Sequence, residues 1–189
     1  MLSDRFTNAV ELAAKLHSAQ LRKGTKIPYI AHLLGVTSLV LEHGGTENEA
    51  IAAMLHDAVE DQGGRETLAL IETQFGTNVA QIVRGCTDSY ETQKPPWRSR
   101  KEKYLQHLAD ASASVRLVSN ADKLHNARAI LNDLRVCGAS LWQRFTGGKS
   151  GTLWYYRSLA DAFNELNHNS LSAELARVVD EIERLAQAE

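Results

Sequence analysis

Residues 50–61 decide the fold of this chain, and they read Ala50-Ile51-Ala52-Ala53-Met54-Leu55-His56-Asp57-Ala58-Val59-Glu60-Asp61. The first half is apolar on every side, which is typical of a helix that lies within a protein core. The second half carries four ionisable side chains in six positions. Because an unpaired buried carboxylate is costly, acids that follow a core helix need a cation, a metal or strong hydrogen bonds. A metal is the leading hypothesis for this stretch.

Helical spacing of apolar residues extends over almost the whole chain, beginning with Phe6, Val10, Ala13 and Leu16. Alternating patterns typical of β-strands are hard to find. We therefore predict an all-α fold of about ten helices. The predicted helices lie near residues 3–20, 30–43, 47–60, 65–74, 77–87, 99–110, 113–136, 139–145, 150–167 and 171–187. A loop is predicted at residues 92–97, which contain two consecutive prolines.

Composition limits the classes of function. The chain has 189 residues and no evident linker, so we predict a single domain over residues 1–189. A formal net charge of −2 gives no general attraction to nucleic acid or anionic membranes, and we expect neither as a partner. No signal peptide or transmembrane segment is evident. Cys86 and Cys137 lie in apolar helical contexts and are expected to be reduced thiols, which indicates a cytoplasmic protein.

A metal site needs more ligands than His56 and Asp57 alone supply. Two other residues stand out because each is a polar group in an apolar helical context, namely His32 and Asp122. Taken alone, His32 is more simply a core histidine and Asp122 a paired core acid. Taken together, the four residues offer two imidazoles and two carboxylates, a set that suits manganese or iron better than a closed zinc site.

The order His, His-Asp, Asp resembles the motif order of the HD-domain phosphohydrolases. More closely, the chain resembles the hydrolase domain of the RelA/SpoT alarmone enzymes, especially the stand-alone small alarmone hydrolases similar to the metazoan SpoT homologue. Several motifs carry the resemblance in the family's order and spacing: Arg22-Lys23-Gly24, Pro28-Tyr29-Ile30-Ala31-His32, His56-Asp57-Ala58-Val59-Glu60-Asp61 and Ala121-Asp122-Lys123-Leu124-His125-Asn126-Ala127-Arg128. The resemblance covers essentially the whole chain and leaves no room for a synthetase domain. It implies a compact single-domain helical HD fold.

The resemblance also implies a metal shell. The family's ligands correspond to His32, His56, Asp57 and Asp122, and its ion is typically manganese. The family substrate is guanosine 3′,5′-bis(diphosphate), which is hydrolysed at its 3′-diphosphate to GDP and pyrophosphate. The chain is therefore expected to be a metal-dependent hydrolase whose partner is a small guanine nucleotide.

Roles for the remaining motif residues follow from the same resemblance. Glu60 and Asp61 form the acidic pair at the catalytic centre, and Asn126 contacts the substrate near the scissile group. Arg22 and Lys23 help to hold the guanine nucleotide. An acid near the departing oxygen assists by delivering a proton, and which of the two acids does so is left open.

Three further residues are candidates for substrate contacts on chemical grounds. Lys123 and Arg128 carry positive charge that can meet the charge developing on phosphoryl oxygens. The Tyr29 ring is a candidate for stacking on the purine.

Two rival functions remain at this point. One is hydrolysis of another nucleotide, for example as a 5′-nucleotidase or a NADPH 2′-phosphatase. The other is a nucleotide-binding sensor that retains the fold without turnover. The motif Arg22-Lys23-Gly24 together with the Glu60-Asp61 pair favours the alarmone over other nucleotides, because general HD phosphatases need not share them. The oligomeric state is left open by the sequence.

Overall fold

The structure, a computed structural model, describes residues 1–87 and 95–188, and in these residues it confirms the all-α prediction. Ten α-helices and one 3₁₀ helix are present there. The helices are α1 (Asp4–Leu16), α2 (Ile30–Glu42), α3 (Glu47–Leu55), α4 (Ala58–Asp61), α5 (Gly64–Phe75), α6 (Thr77–Cys86), α7 (Trp97–Asp110), α8 (Ala113–Cys137), the 3₁₀ helix (Gly138–Arg144), α9 (Gly148–Leu166) and α10 (Ser170–Gln187).

The loop predicted at residues 92–97 falls partly outside the described residues. Residues 92–94 belong to that part, whereas Pro95 and Pro96 are described and are not helical. Trp97 already begins α7, so the predicted loop extends one residue too far.

The helices group into two compact units. The first contains residues 1–87 and 111–121, and in it α3 packs against α1, α2 and α6, while α5 packs against α4 and α6. The second contains residues 95–110 and 122–188, and in it α9 packs against α7, α10 and the 3₁₀ helix. The single domain over residues 1–189 stays a prediction.

Helix α3 is the centre of the first unit. Residues 50–55 are all 0% exposed, as the continuous apolar run predicts for a helix surrounded on every side. The helix begins with a capping box, in which the Thr46 hydroxyl accepts from the Glu49 amide and the Glu49 carboxylate accepts from the Thr46 amide at 2.7 Å. These bonds satisfy two amides that the first helical turn would leave without partners. The helix that carries His56 is thereby fixed at its start.

Replacing Thr46 with alanine is expected to lower the free energy of unfolding by about 1 kcal/mol, because it removes this cap. Chemical denaturation of the two proteins measures the difference. Thr73→Ala is the matched control, since the same change falls at an exposed interior position of α5, where the hydroxyl bonds to the Ala69 carbonyl. The capping account is wrong if Thr46→Ala costs no more than Thr73→Ala.

The predicted helix over residues 47–60 is wrong in one respect, because it is interrupted at His56 and Asp57. Helix α3 ends at Leu55, and the short α4 begins at Ala58. In an uninterrupted helix the Ala53 carbonyl would accept the Asp57 amide, but here it accepts Nδ1 of the His56 ring at 2.7 Å. Asp57 adopts φ −92° and ψ −7°, and the Asp61 amide then bonds to the Asp57 carbonyl at 3.0 Å.

Helix α1 ends at Leu16, four residues earlier than predicted. The chain then forms a hairpin-like loop, closed by bonds from the Arg22 amide to the Ile27 carbonyl and from the Tyr29 amide to the Gln20 carbonyl, at 2.8 and 2.9 Å. Gly24 has a φ of +72° at the tip, a conformation that favours glycine. The loop therefore places Gln20 and Arg22 beside Tyr29, which precedes α2.

One further difference lies in the second unit. The predicted helix at residues 139–145 is a 3₁₀ helix over Gly138–Arg144, which makes tighter i to i+3 turns than an α-helix. Helices α8 and α10 begin and end within one residue of their predictions. None of the helices in residues 1–87 and 95–188 combines the length and apolar character that crossing a bilayer requires.

Candidate active site

Two buried histidines and one aspartate converge in the first unit. His32 lies in the first turn of α2, and His56 and Asp57 form the interruption between α3 and α4. One ligand atom from each residue lies within 4.8 Å of the others. The Oδ2 atom of Asp57 is 3.1 Å from His56 Nε2 and 3.5 Å from His32 Nε2. The interruption of the helix therefore brings the His-Asp pair opposite the single histidine of α2.

The hydrogen bonding of His56 fits a metal ligand. Its Nδ1 must carry the hydrogen, because a carbonyl oxygen only accepts, and in a neutral ring this leaves the lone pair on Nε2. That lone pair faces the Asp57 carboxylate oxygen at 3.1 Å, an arrangement that repels unless a positive charge lies between the two atoms. Metal-binding histidines commonly have their other ring nitrogen anchored in this way. The donor set suits a divalent cation.

Tyr29 supports the aspartate of this cluster. Its hydroxyl donates to Asp57 Oδ2 at 2.6 Å, and its ring stacks on the buried His17 ring with centroids 5.2 Å apart. The Tyr29 ring also contacts His32 edge-on at 5.6 Å. The structure thus ties Tyr29 to the candidate ligands, while its predicted stacking on a purine stays a prediction.

Replacing Tyr29 with phenylalanine is expected to weaken manganese binding about tenfold, because the carboxylate loses the donor that orients it. Calorimetric titration of metal-free protein measures the affinity. Tyr156→Phe is the matched control, since it removes a hydroxyl from α9 in the second unit, and its affinity should equal that of the wild type. An unchanged affinity in Tyr29→Phe would show that the hydroxyl does not support the ligand.

The two acids predicted to act in catalysis lie on α4. Glu60 is half-buried and Asp61 is exposed. The backbone bond from Asp61 to Asp57 places Asp61 one turn after the candidate ligand, although the helix between them is not the continuous one that we predicted. Asp61 Oδ2 accepts from Nε2 of Gln20 at 2.8 Å.

The basic pair of the hairpin-like loop lies beside Tyr29. The Arg22 guanidinium carbon is 5.6 Å from the centroid of the Tyr29 ring, within the range of a cation–π contact. Arg22 is half-buried and Lys23 is exposed. Both are therefore placed on the first unit, and their contact with a nucleotide stays a prediction.

The remaining predicted residues lie on the part of α8 that belongs to the second unit. Asp122 is 6% exposed; its Oδ2 accepts from Lys123 Nζ at 2.6 Å, and its Oδ1 accepts from Asn126 Nδ2 at 2.5 Å. These three side chains form one local cluster. Arg128, further along α8, forms an ion pair with Glu174 of α10. The metal and substrate roles of these residues stay predictions.

Lys123 is held in its charged form. Burial is the largest influence and lowers the pKa of its ammonium group, but the attraction of Asp122, followed by those of Tyr104 and Tyr155, raises that pKa well above the usual range. The ammonium also lies 5.0 Å from the centroid of the Tyr104 ring. A fixed positive charge next to Asp122 is therefore part of this cluster.

Sequence reasoning missed a chain of polar contacts around Asp61. The sequence patterns single out none of the residues involved, which are His17, Gln20 and Gln62. In the structure Gln20 Oε1 lies 2.6 Å from His17 Nδ1 and accepts from Gln62 Nε2 at 2.7 Å. The early end of α1 is what releases Gln20 from a helix, and no local pattern in residues 17–20 indicates it.

Comparisons with known proteins show the family to which the chain belongs. The family model described as HD domain matches residues 9–151. The chain is 39% identical over 137 residues to guanosine-3′,5′-bis(diphosphate) 3′-pyrophosphohydrolase MESH1 of Xenopus tropicalis, a match that covers 71% of this chain and 72% of the relative. It is 34% identical over 141 residues to the MESH1 protein of Homo sapiens, which covers 73% of this chain and 74% of the relative.

A solved structure agrees over nearly the full length. It is a metazoan ortholog of SpoT that hydrolyses ppGpp, with a TM-score of 0.78, 27% identity, and coverage of 96% of this chain and 97% of that chain. The chain belongs to the HD-domain family. Within that family its relatives are the MESH1 pyrophosphohydrolases and the SpoT ortholog, which confirms the predicted resemblance to the small alarmone hydrolases. HD-domain hydrolases use divalent metals, and His32, His56 and Asp57 are able to hold one.

Proposed function

We propose that this protein hydrolyses the 3′-diphosphate of guanosine 3′,5′-bis(diphosphate), giving GDP and pyrophosphate. The observation that carries the proposal is the convergence of His32, His56 and Asp57, followed one turn later by Glu60 and Asp61. The MESH1 relatives and the SpoT ortholog act on this nucleotide according to their names, and they match most of the chain. A cluster of nitrogen and oxygen ligands beside two acids is what hydrolysis of a phosphoanhydride or phosphate ester requires.

The proposed metal is manganese, with Asp122 as a ligand in addition to His32, His56 and Asp57. Two imidazoles and two carboxylates suit a divalent ion of intermediate hardness. When bound, such an ion supplies Lewis-acid activation of water. Asp122 is supported as a ligand by its burial and by the two donors, Lys123 and Asn126, that fix its carboxylate.

The acids of α4 are proposed to handle the proton. The oxygen of a water molecule forms a bond to the phosphorus attached to the ribose 3′-oxygen, and the water gives up a proton to solvent. The bond between that phosphorus and the 3′-oxygen breaks, so the water oxygen stays on the pyrophosphate and the 3′-oxygen leaves with GDP. The 3′-oxygen must take up a proton as it leaves, and a carboxylic acid within reach lowers the barrier. Glu60 and Asp61 are the two candidates for the donor, and both lie directly after the ligand pair in the chain.

The remaining roles concern the charge of the substrate. Lys123 and Arg128 are proposed to meet the phosphoryl oxygens, and Asn126 to contact the substrate near the bond that breaks. Lys123 suits this role because its ammonium is held charged beside Asp122. Arg22 and Lys23 are proposed to hold the nucleotide, with the planar guanidinium able to bind phosphate through two parallel bonds.

The setting proposed for this activity is the cytoplasm. No disulfide joins Cys86 and Cys137, which is consistent with reduced thiols. The substrate is a small nucleotide, and neither nucleic acid nor a membrane is proposed as a partner.

A product assay separates the proposal from its rivals. Protein stripped with chelator and reloaded with manganese is incubated with the alarmone, NADPH or deoxynucleotides while pyrophosphate and phosphate are quantified. The proposal expects pyrophosphate and GDP in equal amounts from the alarmone. Phosphate release from NADPH alone would identify the 2′-phosphatase instead, and tight binding of the alarmone without any product would identify a sensor.

A further inference from the structure

Gln20 lies at the centre of a hydrogen-bonded group on the first unit. The reaction described above gives Gln20 itself no role. It sits where α1 has ended, in the extended segment that pairs with Pro28 and Tyr29 through the bridge between Leu21 and Pro28. Its side chain is half-buried and reaches across to α4, 41 residues later in the chain, where it donates to Asp61. This is a long-range contact, and it reaches one of the two candidate acids.

The orientation of the Gln20 carboxamide is determined by its partners. Gln62 Nε2 donates to Gln20 Oε1 at 2.7 Å, and His17 Nδ1 lies 2.6 Å from the same oxygen. An amide oxygen only accepts, so the ring hydrogen of His17 lies on Nδ1. Because the Gln20 oxygen faces these two donors, the Gln20 NH₂ group points away from them. That places the Gln20 NH₂ group against Asp61 Oδ2 at 2.8 Å. Two donors on one end of the amide thus direct its other end to the acid.

The group is anchored at both ends. His17 is 2% exposed and stacks on Tyr29, whose hydroxyl bonds to Asp57. Gln62 follows α4 directly, and its backbone N–H donates to the Ala58 carbonyl at 3.0 Å. Gln20 therefore joins the segment before the candidate metal cluster to the helix that carries the acids.

We propose that Gln20 is a positioning residue, which holds the exposed carboxyl group of Asp61 in the rotamer that faces the substrate. This inference rests on the proposed function, because it assigns Gln20 an effect on the proton step. An exposed aspartate has several accessible rotamers, and one directed hydrogen bond selects among them. The Gln20 side chain loses little further entropy in making this bond, because two donors already hold it. The expected signature is a loss in kcat with little change in KM.

The test compares Gln20→Met with Gln74→Met in protein loaded with manganese. Methionine keeps the length of the side chain and removes its hydrogen bonds. Gln20→Met should lower kcat for the alarmone about tenfold, while KM stays within about twofold of the wild type. Gln74→Met makes the same chemical change at an exposed position of α5 on the same unit, so its kcat and KM should match those of the wild type. Manganese affinity and melting temperature are recorded for both variants.

A double variant distinguishes positioning from a structural role. In an Asp61→Asn background, Gln20→Met should cost less than about threefold further in single-turnover rate, because residues that act as a unit are not additive. The inference is overturned if Gln20→Met keeps kcat within about threefold of the wild type, if it raises KM as much as it lowers kcat, or if its loss is equally large in the Asp61→Asn background. Failure of the proposed function is separate, since the wild type itself would then release no pyrophosphate.

Discussion

Asp57→Asn is expected to lower manganese affinity by at least about 100-fold and to reduce alarmone hydrolysis to background. Asparagine keeps the shape of the side chain and still accepts the Tyr29 hydroxyl, but it removes the negative charge from the atom that faces both histidines. A neutral amide is a poor ligand for a divalent ion, and the variant keeps only the two imidazoles and the proposed ligand Asp122. Calorimetric titration measures the affinity, and pyrophosphate release measures the activity.

Thermal unfolding provides a second readout of the same change. A ligand present at 100 times its dissociation constant stabilises the folded state by about 2.7 kcal/mol. For a protein of this size that corresponds to a rise in melting temperature of about 5–11 °C. The wild type should show this rise with manganese, and Asp57→Asn should show at most about 1–2 °C at the same concentration, because a site about 100-fold weaker is then only half-filled. The assignment of Asp57 as a ligand is wrong if the variant binds manganese as the wild type does.

Asp161→Asn is the matched control for this experiment. The same chemical change is then made on α9, where the Asp161 side chain is 67% exposed. Its Oδ1 atom lies 3.9 Å from Nη1 of Arg157. Exposed pairs of this kind contribute little to stability. Its metal affinity, its melting temperature and its rate should all match those of the wild type.

Glu60→Gln is expected to lower kcat by about 10²- to 10⁴-fold while manganese affinity stays unchanged. Glutamine preserves the size of the side chain but cannot deliver the proton that the departing 3′-oxygen needs. Asp61→Asn makes the same test of the second acid, and the larger loss identifies the donor. Steady-state kinetics with the alarmone, paired with metal analysis of each variant, separates loss of chemistry from loss of metal.

The control for these variants is Glu72→Gln, which changes an exposed acid on α5 of the same unit. Its kcat should equal that of the wild type. A kcat within about threefold of the wild type in both Glu60→Gln and Asp61→Asn, with metal bound, would remove the acidic pair from the mechanism.

The extent to which the sequence predicts this fold depends on whether a feature is local. The burial of residues 50–55 follows from their continuous apolar run, a property that the segment carries within itself. The interruption after Leu55, beside which a ring nitrogen of His56 bonds to the Ala53 carbonyl, is not carried by such a local pattern. The residue types at positions 56–61 allow a helix to continue, so they do not indicate that the helix ends.

The candidate site shows the same division. Polar residue types in apolar helical contexts, and then the resemblance to a known family, singled out His32 and the His56-Asp57 pair, and the structure places their ligand atoms within 4.8 Å of one another. The link from Gln20 to Asp61 was invisible, because it depends on α1 ending at Leu16 and on pairing of Leu21 with Pro28. Such contacts arise from tertiary packing that overrides the helical preference of residues 17–20. Residues that orient a site are therefore harder to find than residues that form it.

The most direct test of the account is a titration of metal-free protein with manganese while pyrophosphate release from guanosine 3′,5′-bis(diphosphate) is measured. The account predicts that the rate rises in proportion to bound metal, that GDP and pyrophosphate appear in equal amounts, and that Asp57→Asn shows no rise under the same conditions. Full release of pyrophosphate by metal-free wild-type protein would contradict it, as would metal-saturated protein that leaves the alarmone intact.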